Sequence, residues 1–209
     1  MREIDLATWN RRKPYELFRA SASPHFGVTA DIDITRFIND IKPTGLSVFN
    51  AILFAIMKAV NSIPEFRTRF SGDKVYEYSV THPSFTVPIE ETQFAFCESQ
   101  YSADWAEFNY LCNEAKEQAR QQTQLEESTV TDQWTYLTCA PWMHFTAMTH
   151  AHNGVEDCIP RIAWGKYTKR GDRWLMPLNV QAHHAIMDGY HVAKMFELTE
   201  KILREEPFK

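Results

Sequence analysis

Apolar and polar residues alternate along this chain in blocks whose period switches between two and about 3.6. Alternation from Val28 onward makes Phe26 to Thr35 a strand, with Asp31 and Asp33 on its wet face. Leu46, Phe49, Ile52, Leu53, Ile56, Met57 and Val60 recur at helical spacing, which predicts a core-facing helix over about 46–62, closed by Pro64. The turn residues Ser71-Gly72-Asp73-Lys74 separate Arg69-Phe70 from Val75 to Tyr78 as a hairpin, and Ser84 to Pro88 is a further strand. Asp104 with Glu107 caps a helix through Trp105, Phe108, Leu111, Cys112, Ala115 and Ala119, whose polar tail over 118–131 is expected to be solvated. Val192, Met195, Phe196, Ile202 and Leu203 mark a last helix over 190–204, while residues 5–20 read as an amphipathic helix with a basic face. Period two along 144–152 predicts a strand with His144, Thr146, Met148, His150 and His152 on one side.

The densest candidate chemistry lies over 181–191, where an alternating run ends at His183-His184 and Asp188-Gly189 opens the last helix. If 173–184 is a strand, Asn179, Gln181 and His183 share one face, and Leu178, Val180, Ala182 and His184 the other. On that apolar face, desolvation would keep His184 neutral and able to accept a proton, as a general base must. A structural histidine at a strand end is the competing reading of the pair. The full string His-His-x-x-x-Asp-Gly is more specific. It resembles the active-site motif of the chloramphenicol acetyltransferase family, which is related to dihydrolipoamide acyltransferase catalytic domains and to peptide-synthetase condensation domains.

A length of 209 residues suits a single domain over 1–209 and the free-standing branch of those relatives. The absence of a short repeat separates the chain from hexapeptide-repeat acetyltransferases. The resemblance implies an α/β fold, a two-layer sandwich with a mixed, largely antiparallel sheet and helices packed on one face. It also implies a homotrimer with active sites at subunit interfaces. Trp9-Asn10-Arg11-Arg12 is similar to the start of the family, in which the first Arg pairs with the motif Asp, so Arg11 and Asp188 would brace the site. The family's oxyanion-binding Ser stands three residues before a Pro-Trp step, a position held here by Thr138 before Pro141-Trp142. Lys166 and Tyr167 match a Lys-Tyr step that contacts coenzyme A, with Pro141 and Trp142 as the opposite wall. The acceptor pocket would take Phe18, Phe26, Phe94, Phe96, Met148, His150 and His152; the two histidines make it more polar than the family pattern, and Phe96 is bulky there. Ala163 stands where the family has a water-ordering Thr. The implied reaction is direct O-acetylation of chloramphenicol or a similar small hydroxyl acceptor by acetyl-CoA. In it His184 is the base and Thr138 the oxyanion donor, and Asp188 belongs to no serine-type triad.

A formal charge of −5 argues against nucleic acid as a general partner. Cys97, Cys112, Cys139 and Cys158 lack C-x-x-C spacing and read as reduced, buried thiols. No apolar signal core opens the chain and no stretch of about twenty apolar residues occurs, so no membrane association and a cytoplasmic location are expected. Two readings of other classes stand beside the acyltransferase. Ala163 and the polar pocket strand favour an acyltransferase-fold protein that binds a ligand without turnover. His144, His150, His152 or His191 could serve a metal-dependent hydrolase, but the sequence offers no third ligand beside the i, i+2 pair, so no metal is expected.

Overall fold

In chain order the elements are β1 (Arg2–Ile4), α1 (Arg12–Arg19), β2 (His25–Asp33) and α2 (Val48–Asn61), then the hairpin β3 (Thr68–Ser71) and β4 (Lys74–Glu77). They continue with β5 (His82–Pro88), β6 (Phe94–Glu98), α3 (Trp105–Arg120), β7 (Trp134–Ala140), β8 (Arg161–Gly165), β9 (Thr168–Arg170), β10 (Arg173–His183) and α4 (Gly189–Glu205). The structure, a computed structural model, describes residues 1–90, 93–122 and 131–208.

The main sheet runs β2-β10-β8-β7-β5-β6, with β9 also on β10, and β1-β4-β3 form a separate small sheet. β10 pairs antiparallel with β2, β8 and β9, as β5 does with β6. The β5–β7 and β7–β8 pairs are parallel, so the sheet is mixed.

Register decides which residues share a face, because paired residues point the same way. Ala182 lies opposite Phe26, Val180 opposite both Val28 and Ile162, and Leu137 opposite both Ile162 and Phe85. This is the core face, covered by helices. Buried on every side from Asn50 to Met57, α2 packs against both α3 and α4. Ser47 caps α2 by accepting from the Asn50 N–H at 3.3 Å, and Asp104 caps α3 by accepting from the Glu107 N–H at 2.9 Å.

Two expectations change. The first helix begins only at Arg12, because Arg2–Ile4 is drawn into an edge ladder with β4 and Asp5 turns the chain by accepting from the Ala7 N–H at 2.9 Å. Residues 144–152 form no strand. Both edges of β10 are already occupied, so this segment lies over the sheet face and is held there by side chains. The Gln181 amide donates to the His150 carbonyl (3.0 Å) and accepts from its N–H (2.8 Å), and Asn179 donates to the Met148 carbonyl at 3.1 Å. The polar face of β10 is therefore buried, with Asn179, Gln181 and His183 each less than a tenth exposed. Of the expected polar tail over 118–131, residues up to Arg120 belong to α3, and 123–130 lie outside the described residues.

Candidate active site

His184 is the first residue past β10. Its N–H donates to the Pro24 carbonyl at 2.8 Å, which ties the end of β10 to the start of β2. The imidazole is sandwiched by Phe18 of α1, parallel within 4° at a centroid distance of 3.8 Å, and by Phe26 of β2 at 4.6 Å and 39°. Phe26 belongs to the core face of the ladder, and both rings come from residues expected at the acceptor pocket. His184 Nδ1 is buried and has no hydrogen-bond partner among the described residues, so aromatic packing sets the ring plane.

His183 is built differently. Only 2% exposed, it donates from Nε2 to the Val155 carbonyl (2.9 Å) and accepts at Nδ1 from the Ala185 N–H (3.2 Å). Burial pushes its pKa down to about 4, against the smaller opposing effect of the Val155 bond, so it stays neutral at physiological pH. Its ring meets His25 edge-on at 5.1 Å, and His25 stacks on His152 at 4.1 Å. These three rings fasten the 152–157 loop to the sheet.

Asp188 connects the motif to the N-terminal segment. Its carboxylate lies 3.0 Å from Arg11 Nη1, accepts from the Tyr190 N–H at the start of α4 (3.1 Å) and lies 2.9 Å from His191 Nδ1. Partial burial works to raise the Asp188 pKa, but the Arg11 hydrogen bond and the charges of His191 and Arg11 outweigh it and hold the group below the usual carboxylate value. His191 also reaches Glu65 at 3.4 Å, a contact sequence reasoning missed.

A second centre lies at the other end of the sheet. Thr138 on β7 faces Ala163 on β8, and that Ala is fully buried. Beyond them opens a groove of about 750 Å³ lined by Thr138, Pro141, Trp142, Tyr167, Phe94 and Trp164, with Val48, Phe49 and Ile52 of α2 also along it. The α2 stripe is thus partly groove wall as well as core. Lys166 is exposed beside Tyr167. Lys42, which sequence reasoning missed, donates to the Tyr167 hydroxyl at 3.0 Å and lies 5.3 Å from its ring centre. Apolar walls with lysines at the rim suit a long thioester substrate carrying an aromatic base and phosphates.

Within one chain the two centres are separate. Thr138 aligns with Asn179 through Ala163, and His184 lies five residues farther along, so base and hydroxyl are about 15–20 Å apart on the spacings of a sheet. The expected pocket residues divide in the same way. Phe18 and Phe26 flank His184, whereas Phe94 lines the groove and touches Phe96. Met148 packs on the buried group of Ala140, Phe145 and Ala163, His150 Nε2 lies 3.0 Å from Asn179, and His152 stacks on His25. The histidines considered for a metal site also diverge: His144 goes to Asp31 and His191 to Asp188 and Glu65. Among the described residues no group of three or more His, Cys, Asp or Glu side chains could hold a metal ion. No helix among them is long and apolar enough to cross a membrane.

A mixed sheet with helices on one face, a His-His-x-x-x-Asp-Gly corner and a distant apolar groove define an acyltransferase of the two-layer type. Residues 1–199 match the family described as chloramphenicol acetyltransferase. The chain is similar to chloramphenicol acetyltransferase 2 of Escherichia coli, with 31% identity over 91% of each chain. It is also similar to chloramphenicol acetyltransferase 3 of Escherichia coli, with 30% identity over 96% of this chain and 95% of that one. A solved chloramphenicol acetyltransferase superposes with a TM-score of 0.84 at 24% identity, covering 96% of this chain and 98% of that chain. A truncated catalytic core of the 2-oxoacid dehydrogenase multienzyme complex from Thermoplasma acidophilum shares the fold at a TM-score of 0.69 and 13% identity, covering 96% of this chain and 97% of that chain. The chain belongs to the chloramphenicol acetyltransferase family.

Proposed function

We propose that this chain, acting as one catalytic domain, O-acetylates chloramphenicol with acetyl-CoA by direct transfer in a ternary complex. His184 takes the proton of the acceptor hydroxyl while its oxygen attacks the thioester carbonyl. The Thr138 hydroxyl donates to the oxyanion that forms. Collapse of that adduct breaks the carbon–sulfur bond, and the leaving thiolate recovers the proton from the imidazolium. Acetyl-CoA occupies the groove between Pro141-Trp142 and Tyr167, with Lys166 and Lys42 toward its phosphates. The four cysteines are free thiols, consistent with a cytoplasmic enzyme working where acetyl-CoA is made.

The observation that carries this reading is the pair of half-sites. His184, held between two aromatic rings, and Thr138, at the mouth of an apolar groove, each lack the other within one chain. A homotrimer, in which His184 of one copy faces the groove of the next, supplies both to one substrate pair. Asp188 and Arg11 hold the turn that carries His184. Phe18, Phe26, Phe94, Phe96, Met148, His150 and His152 then line the acceptor side from the two copies.

Ala163 favours the alternative of binding with little turnover, because it offers no hydroxyl beside Thr138. Thiol release from acetyl-CoA, followed with chloramphenicol and with a panel of small alcohols, separates the two. Release that depends on chloramphenicol is expected, and release with no acceptor tested would overturn the proposal.

A further inference from the structure

The strip that follows the groove wall, Met143-His144-Phe145, is bound to the turn that follows β8 by a set of contacts with no role in the chemistry above. The Lys166 N–H donates to the Met143 carbonyl at 2.8 Å, and His144 Nδ1 lies 3.1 Å from the Lys166 carbonyl. Gly165 makes the approach possible: a Cβ there would meet the Met143 carbonyl oxygen at 2.7 Å and the Phe145 ring at 2.8 Å. One residue to either side of this clamp stand Trp142 and Tyr167, opposite walls of the groove.

A carbonyl can only accept, so the bond to Lys166 requires a proton on His144 Nδ1. The far side of the ring determines whether it is there. His144 Nε2 lies 3.1 Å from Asp31 Oδ1 on β2 and 3.1 Å from Arg170 Nη2 on β9, and Arg170 Nη1 pairs with Asp31 at 3.2 Å. When the ring is charged, Nε2–H donates to Asp31. When it is neutral, the Arg170 guanidinium donates to Nε2 and leaves the proton on Nδ1. Either way the bond to the Lys166 carbonyl is kept, and Thr168 Oγ1 lies 3.4 Å from Nδ1. The His144 side chain is 14% exposed, so water competes weakly for these bonds.

We propose that His144 is a positioning residue for acetyl-CoA. Backed by Asp31 and Arg170, it fixes the Lys166-Tyr167 turn against Trp142 and so sets the width of the groove. This rests on the groove being the acetyl-CoA site. The role concerns binding, so its loss acts on the cosubstrate's KM and leaves the chemical step at His184 intact.

The test compares wild type with His144→Ala, His144→Phe and His144→Asn. Asn places an N–H donor where Nδ1 stands, whereas Phe fills the space without one. Ala and Phe are expected to raise the KM for acetyl-CoA by about three- to tenfold, the loss of one partly buried hydrogen bond, with kcat and the acceptor KM within about twofold. Asn is expected to restore the KM. Phe behaving as wild type, or kcat and both KM values changing together in Ala and Phe, would overturn the proposal. Arg170→Met provides a second route should the His144 variants fold poorly: assayed at a pH high enough to keep the imidazole neutral, it removes the donor that selects the tautomer and is expected to raise the same KM alone, whereas an unchanged KM under those conditions overturns the proposal. Calorimetric titration of the same proteins with coenzyme A separates the two levels. Absence of coenzyme A binding to wild type sinks the groove assignment and this proposal with it, whereas equal binding to wild type and His144→Phe sinks this proposal alone.

Discussion

The Phe18 ring lies parallel to the His184 imidazole, 3.8 Å away. Since Nδ1 makes no hydrogen bond among the described residues, this stack and Phe26 define the plane in which the base works. Phe18→Leu keeps apolar bulk and loses the flat face. It should lower kcat about tenfold, an effect of misorientation, with little change in melting temperature. Steady-state kinetics beside a thermal melt will check this, and an unchanged kcat would show that the stack does not orient the base.

Thr138 offers a cleaner substitution. Thr138→Val removes the hydroxyl, keeps the β-branched shape and suits a strand. A drop in kcat on the order of 100-fold is expected if the hydroxyl meets the oxyanion, with Thr138→Ser retaining most activity. Equal rates for Val and Ser would remove Thr138 from the chemistry.

Acid should loosen the fold through His183. Its pKa is near 4 when folded and near 6.5 when the chain is unfolded, so the unfolded state binds the extra proton between those values. Stability is therefore complete above about pH 6.5 and falls as pH drops toward 4, by about 3 kcal/mol if this group acted alone. His183→Gln should flatten that part of a stability-against-pH curve measured by urea unfolding. A curve of unchanged slope would place the acid sensitivity elsewhere.

Asp188 acts in the same direction but at lower pH, because its pKa too is depressed in the folded state. Its contribution is present above the unfolded value and disappears as pH falls through the folded one. Asp188→Ala loses the cap of α4 and the Arg11 pair, about 1–2 kcal/mol for so exposed a carboxylate. That difference from wild type should be constant above about pH 5 and shrink below pH 4. A difference that does not shrink at all between pH 5 and the acid limit of folding would mean that the charge contributes nothing.

Local signals were the legible ones. The His183–Gly189 corner is one strand, one turn and one helix start, so it stands in the sequence as a contiguous motif that its family resemblance made legible, and α2, α3 and α4 followed from periodicity and caps. Tertiary context governed what was missed. Alternation over 144–152 suits a strand, yet a strand needs a free edge, and β2 and β8 occupy both edges of β10. Lys42 follows a short wide turn whose apolar residues Phe37 and Ile38 face the core, and nothing local announced a place for the lysine beside Tyr167. His144 and Asp31 meet only because β2 and β9 flank β10, a relation no local pattern encodes. The distance between His184 and Thr138 is likewise a matter of strand order, and motif spacing cannot express it.

The most direct measurement is thiol release from acetyl-CoA in the presence of chloramphenicol by wild type, by His184→Ala, by Thr138→Val and by a mixture of the two variants refolded together. With His184 as the base and sites shared between copies, wild type is active and each variant is reduced, His184→Ala to background. The mixture recovers part of the activity, because some interfaces then pair an intact His184 with an intact Thr138. Full activity in His184→Ala would contradict the assignment of the base, and a mixture no better than the sum of its components would contradict the shared site.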